Sequence, residues 1–158
     1  MEFGPKKAPA SVSDPVPSGL TILIDSREQD PYRFTAPTVT TGLRSGDYSI
    51  IGLQDKIAIE RKSLQDAYQT FSHGRARFER ELVRLSKLDY AAVVIEADLD
   101  KALFYPPTGM SGKSFNRSWI AWAQRYGVHF VFANTRLHAQ RITEIMLERF
   151  WEDLNVHS

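Results

Sequence analysis

The sequence predicts a single α/β domain, and three observations carry that expectation. At 158 residues the chain is long enough to bury one sizeable core. Short apolar, β-branched runs at 20–24, 48–51, 56–59, 91–97 and 128–133 read as strands, and helix-period stretches alternate with them from residue 64, over 75–87, over 114–126 and over 135–154. The chain has no cysteine, so neither disulfides nor a thiolate zinc site can staple the fold and an apolar core has to hold it.

Taken in order, residues 1–19 carry Gly4, Pro5, Pro9, Pro15, Pro17 and Gly19 and are expected to form a disordered tail ahead of a domain over 20–158. The first strand, 20–24, ends in Asp25-Ser26-Arg27-Glu28, a charged cluster where a strand end can supply ligands or a phosphate clamp. The runs 48–51 and 56–59 flank Gly52-Leu53-Gln54-Asp55 and predict a hairpin that sets Ile51 opposite Lys56 and therefore Asp47 opposite Glu60. Side chains alternate along a strand, so Tyr48, Ile50, Ile57 and Ile59 share an apolar face, while Asp47, Ser49, Ala58, Glu60 and Lys62 share the other. A slip of one residue would mix the two sets, and burial of the apolar set opposes it. Arg61 then points away from its neighbours Glu60 and Lys62.

Ser63 is a suitable N-cap for the helix that begins at Leu64. Asp66 falls in its first turn, where it favours the helix dipole or serves as a partner for Arg61. The helix over 75–87 places Phe78, Leu82 and Leu85 at core spacing, which leaves Arg75, Arg77, Arg80, Arg84 and Lys87, with Glu79 and Glu81, facing outward. A solvated face is the default reading of such a pattern; phosphate contact by Arg75 and Arg77 is the sharper one. The last two helices carry Trp119, Ile120, Trp122 and Ala123, then Leu137, Ile142, Ile145, Met146 and Phe150, as core stripes, and Trp151 extends the second toward a possible dimer surface.

The hairpin is where chemistry concentrates. Opposed residues have Cβ atoms about 5 Å apart, and like charges there repel. A divalent cation would turn that repulsion into coordination, and oxygen-only ligands favour Mg2+ or Mn2+ over zinc. The plain alternative is a solvated polar face on which Lys62 neutralises one carboxylate. With a cation, the set suits phosphodiester hydrolysis: a water is activated, and Lys62 stabilises developing charge. Net charge is only +1, so no overall basic field advertises nucleic acid. Two motifs are decoys. Gly109-Met110-Ser111-Gly112-Lys113-Ser114 lacks the glycine a phosphate loop needs at Pro107, leaving Lys113 as a simple DNA-contact candidate; His73, His129, His138 and His157 have no metal-ligand spacing. No signal peptide or membrane span is visible, and an intracellular, cytoplasmic protein is expected, in the nucleoid or nucleus according to the host.

The ordered set Ile24-Asp25-Ser26-Arg27-Glu28, Gly46-Asp47-Tyr48 and Ile59-Glu60-Arg61-Lys62-Ser63-Leu64-Gln65-Asp66, continued by Gly74-Arg75 and Ala92-Val93-Val94-Ile95-Glu96, resembles the nuclease domain of the XPF-type structure-specific endonucleases. The resemblance implies a restriction-endonuclease-like fold, a mixed central sheet flanked by helices. It implies metal binding by Asp47 and Glu60 with Asp25 and Glu28 as further acidic ligands, and catalysis by Lys62, Glu60 and Asp47 with Arg61, Asp66 and Arg27 at the remaining motif positions. It further implies action on branched or flap DNA or single-strand/duplex junctions, with Mg2+ or Mn2+. The helix-hairpin-helix units many relatives carry are not expected in the 158 residues, which leaves three arrangements open: the domain acting alone, a homodimer, or a separate DNA-binding partner. Two other readings share the fold: a catalytically silent DNA-binding or heterodimer-scaffolding module, and a restriction-type nuclease.

Overall fold

The computed structural model describes residues 17–104 and 109–156; the expected tail over 1–16, Pro106-Pro107 and His157 lie outside them. Six strands form one mixed sheet: β1 (Ile22–Asp25), β2 (Thr38–Thr41), β3 (Tyr48–Ile50), β4 (Ile57–Ser63), β5 (Tyr90–Glu96) and β6 (His129–Phe132), in the spatial order β2-β1-β3-β4-β5-β6. β3 runs antiparallel to both β1 and β4, and the other pairings are parallel. Among the described residues the helices are α1 (Leu64–Ser72), α2 (Arg75–Leu85), α3 (Leu99–Phe104), α4 (Gly112–Tyr126) and α5 (Arg136–Val156). No helix among the described residues is long and apolar enough to cross a membrane.

The sheet separates two cores. On one face Ala58, Val93 and Ile95 meet Ala67, Tyr68 and Phe71 of α1, Phe78 and Leu82 of α2, and Phe115 and Trp122 of α4. On the other, Ile22, Tyr48, Ile50, Ile57, Ile59 and Val94 meet Tyr32 and Ala36 of the loop after β1, and Ala139 and Leu147 of α5. This division follows the alternation expected of the hairpin. Tyr48 pairs with Ile59, which is the expected register. The loop is wider than expected, because both strands stop one residue short: the Leu53 carbonyl takes the amides of both Lys56 and Ile57, while Ile51 is left exposed and bonds Thr21 instead.

Three expectations need correction. Residues 17–19 are not tail-like: Leu20 N–H bonds the Pro17 carbonyl, and the Trp151 indole donates to the Ser18 carbonyl. On α5 the expected Ile142, Met146 and Phe150 do pack, partly buried, against the core, but the fully buried seam is Ala139, Thr143 and Leu147, at helical spacing of four, and Leu137 and Ile145 are exposed. Beside that seam Glu144 accepts the Thr35 amide at 2.6 Å and the Ala36 amide at 3.4 Å, docking the β1–β2 loop on the helix. Finally, β2 and α3 are additional elements; β2 is an edge strand with exposed side chains and no apolar alternation to announce it.

Candidate active site

The sheet, α1 and α2 enclose a cleft of about 730 Å3 whose lining includes Asp25, Arg27, Asp47, Glu60, Lys62 and Glu81. Its floor is set by β4. Parallel pairing puts Glu60 beside Val93 and Lys62 beside Ile95, residues of the α1–α2–α4 core, whereas Arg61 pairs with Val94 of the opposite core. The split of Glu60-Arg61-Lys62 across the sheet is therefore a matter of strand alternation.

Asp47 is held by three contacts that begin in the backbone. Its amide donates to the Ile59 carbonyl at 2.9 Å, its carbonyl accepts from the Asp25 amide at 2.8 Å, and its Oδ2 accepts from the Arg61 amide at 2.7 Å. Gly46 makes the approach possible: its φ is +71°, and a Cβ there would lie 3.0 Å from the Ala58 Cβ and 3.1 Å from the Ile59 carbonyl oxygen. Glu60 lies across the hairpin from Asp47 with its side chain 13% exposed, and Lys62 Nζ stands 3.4 Å from its Oε1 and 5.6 Å from the centre of the Phe78 ring.

This face of β4 is electrostatically under-compensated. Burial, then the Asp47 charge, push the Glu60 carboxyl up to about 8 against the pull of Lys62. Burial likewise pushes Asp47 up to about 7, with the Arg61 amide opposing and the Glu28 charge adding. Two oxygen donors that resist ionisation together are what a hard divalent cation relieves, so the donor chemistry fits such an ion.

On the other face of β4 the Arg61 charge is compensated on every side. Arg61 donates through Nε to Glu96 at 2.9 Å, and through one Nη to Glu28 at 3.2 Å and to the Asp30 carbonyl at 2.7 Å, while its guanidinium lies 4.4 Å above the Tyr32 ring. Burial alone would lower its pKa, yet the bond and charge of Glu96 raise it. Tyr48 donates to Glu28 at 3.0 Å and accepts from the Tyr32 amide at 2.9 Å, tying that cluster to the loop after β1.

The remaining expected residues are placed as follows. Asp25 is 3% exposed; its Oδ2 pairs with Arg27 Nε at 2.8 Å and its Oδ1 accepts the Leu43 amide at 2.9 Å. Glu28 is engaged with Arg61 and Tyr48, so neither carboxylate converges freely with Asp47 and Glu60, and no group of three or more acidic, histidine or cysteine residues poised around one point is found among the described residues. Arg27 is exposed at the cleft rim beside Asp25. Asp66 is an exposed residue of α1 whose amide is capped by Ser63 Oγ at 3.1 Å. It does not serve Arg61, because the sheet stands between them. Arg77 is exposed and lines the cleft, as does His73. Arg75 is also exposed, yet it leans onto α4, donating to Ser118 Oγ at 2.8 Å with its guanidinium 4.5 Å from the Trp122 ring, and so braces α2 against α4. Lys113 is exposed in the first turn of α4, behind its Ser111 cap and outside the cleft lining.

Two carboxylates have roles that the sequence did not reveal. Glu96 anchors Arg61, and Glu81 accepts the Gly46 amide at 2.8 Å. Both contacts span 35 residues and exist only once β5 and α2 are packed against the hairpin.

The mixed sheet with helices on both faces and a carboxylate–lysine cleft at the hairpin defines a restriction-endonuclease-like, XPF-type domain. The chain belongs to the ERCC4 domain family, whose model matches residues 24–146. Among solved structures it is similar to XPF from Aeropyrum pernix, with a TM-score of 0.67 and 18% identity over 84% of this chain and 65% of that one. It is also similar to the same organism's XPF in complex with DNA, with a TM-score of 0.66 and 19% identity over 85% and 66% of the two chains. The chain thus spans about two thirds of the length of those structures. Comparison with curated proteins gives no match.

Proposed function

We propose that the protein is a metal-dependent DNA endonuclease that hydrolyses phosphodiester bonds, with branched or flap DNA as its preferred substrate. One observation carries the reading: Asp47 and Glu60, opposed across the hairpin with raised pKa values, share their face and cleft with Lys62. The ERCC4 family membership and the likeness to an XPF–DNA complex support DNA as the ligand.

Asp47 and Glu60 would hold Mg2+ or Mn2+. Such an ion supplies Lewis acidity toward phosphoryl oxygens and a lowered pKa for its water. Every other part of the step belongs to side chains already in place. Lys62, held by Glu60 and the Phe78 ring, stabilises negative charge that develops on the phosphoryl oxygens. The Arg61 amide fixes Asp47 through Oδ2, and the Glu28–Arg61–Glu96 cluster fixes Arg61. Arg27 and Arg77 line the cleft from the turn after β1 and from α2, where their cations suit flanking phosphates. A homodimer or separate partner would supply further grip on branched DNA.

A rival reading, a DNA-binding or pairing module without chemistry, draws on the absence of a third free acidic ligand among the described residues. Cleavage assays separate the two. Labelled flap, fork, single-stranded and duplex DNA should be cut by the wild-type chain with Mn2+ and not without it. Glu60→Gln and Lys62→Ala should each lower kcat by a factor on the order of 10²–10³. DNA binding without any cutting would favour the silent module, and cutting that survives both substitutions would sink the assigned mechanism.

A further inference from the structure

We propose that Glu81 is a positioning residue of the reaction centre: a carboxylate on α2 that tethers the Gly46 peptide and thereby sets where Asp47 stands. The proposal rests on the reading of Asp47 and Glu60 as the reactive pair.

Gly46 is pressed against β4 on one side, where a Cβ would meet Ala58 and the Ile59 carbonyl, so its N–H is the handle by which the turn can be held from the other side. Glu81 Oε1 takes that N–H at 2.8 Å. The neighbouring Asp47 amide and carbonyl are already committed to Ile59 and Asp25, so the hold that α2 adds falls on the Ser45–Gly46 peptide, one residue ahead of the reactive carboxylate. Glu81 Oε2 is paired with Arg84, one turn further along α2. Both oxygens are therefore in use, which suits a tether rather than a cation ligand. The helix itself is anchored, through Phe78 and Leu82, in the core that lies under Glu60 and Lys62.

The choice of a carboxylate has a cost: its charge also disfavours ionisation of Glu60. A glutamine would make the same bond without that repulsion. Retention of a charged acceptor gives the stronger bond to an amide and couples the turn to Arg84 at the cleft rim.

Amide hydrogen exchange and steady-state cleavage on the full chain test this, with thermal unfolding as the control for folding. In Glu81→Ala the Gly46 amide should lose protection by about tenfold, and kcat should fall by about tenfold while KM for DNA is unchanged. Glu81→Gln keeps an acceptor in place and should hold both quantities within about threefold of wild type. Unchanged Gly46 protection in Glu81→Ala overturns the tether, and a loss expressed only in KM overturns the positioning role. Should Glu81→Ala fail to fold, Glu81→Asp decides, because its shorter side chain draws the acceptor back from the amide: lost Gly46 protection with a lowered kcat supports the proposal, and wild-type protection overturns it. A wild-type chain that cuts no DNA with Mn2+ removes the functional reading, while Gly46 exchange still judges the tether separately.

Discussion

The two faces of β4 carry similar charges under opposite conditions. On the Arg61 face one guanidinium meets Glu28, Glu96, the Asp30 carbonyl and the Tyr32 ring. On the Glu60 face two half-buried carboxylates share one ammonium, and both are pushed toward protonation. Neighbours in sequence thus serve different ends. The satisfied face holds the strand in place, and the unsatisfied one is left with a demand that a ligand can meet. Stability and chemistry are kept apart by the sheet itself.

That contrast can be broken from the Arg61 side with the largest effect. Arg61→Ala leaves Glu96, whose side chain is 8% exposed, and Glu28 without their cation. The expected loss is about 3 kcal/mol of unfolding free energy, read from urea midpoints. A loss within experimental error of zero would mean that the cluster does not hold β4. Activity should fall as well, because the Arg61 backbone amide positions Asp47.

A smaller effect sharpens the contrast at the turn. Gly46→Ala places a Cβ 3.0 Å from Ala58 at a left-handed φ of +71°, and should cost about 1–3 kcal/mol. Because the strain falls on the peptide before Asp47, kcat should fall further than stability alone explains. Full activity in the folded variant would show that the turn tolerates displacement.

Much of this was legible in the sequence because alternation is a strict rule. The β-branched runs on either side of Gly52 fixed which residues of the hairpin share a face, and Tyr48 opposite Ile59 follows from that pattern. Ser63 as a helix cap was equally readable, since capping is local. What stayed hidden depends on distant packing. Nothing near Arg61 names Glu96, and nothing near Gly46 names Glu81. Nothing near Arg75 names Ser118 and Trp122, the partners it finds on α4. The edge strand β2 was missed because an exposed run of threonines around one valine has no buried face to set a period. On α5 the sequence placed Ile142, Met146 and Phe150 correctly on the core side, but not the buried Glu144, whose bonds to the β1–β2 loop span more than a hundred residues.

The central claim, that Asp47 and Glu60 form an under-compensated pair suited to a cation, has a direct thermodynamic test. The folded pair binds protons more tightly than the unfolded chain, with pKa values raised from 3.8 and 4.5 to about 7 and about 8. Its contribution to stability is therefore fully present below the ordinary carboxylate values and is lost as pH rises through that window. A cation should restore it where protons have left. Thermal unfolding of the wild type and Glu60→Gln, with and without Mn2+ at about pH 5 and about pH 9, measures this. The account predicts a clear Mn2+-induced rise in Tm for the wild type at the higher pH only, and little or none for Glu60→Gln. An equal rise in both proteins, or none in either, would contradict it.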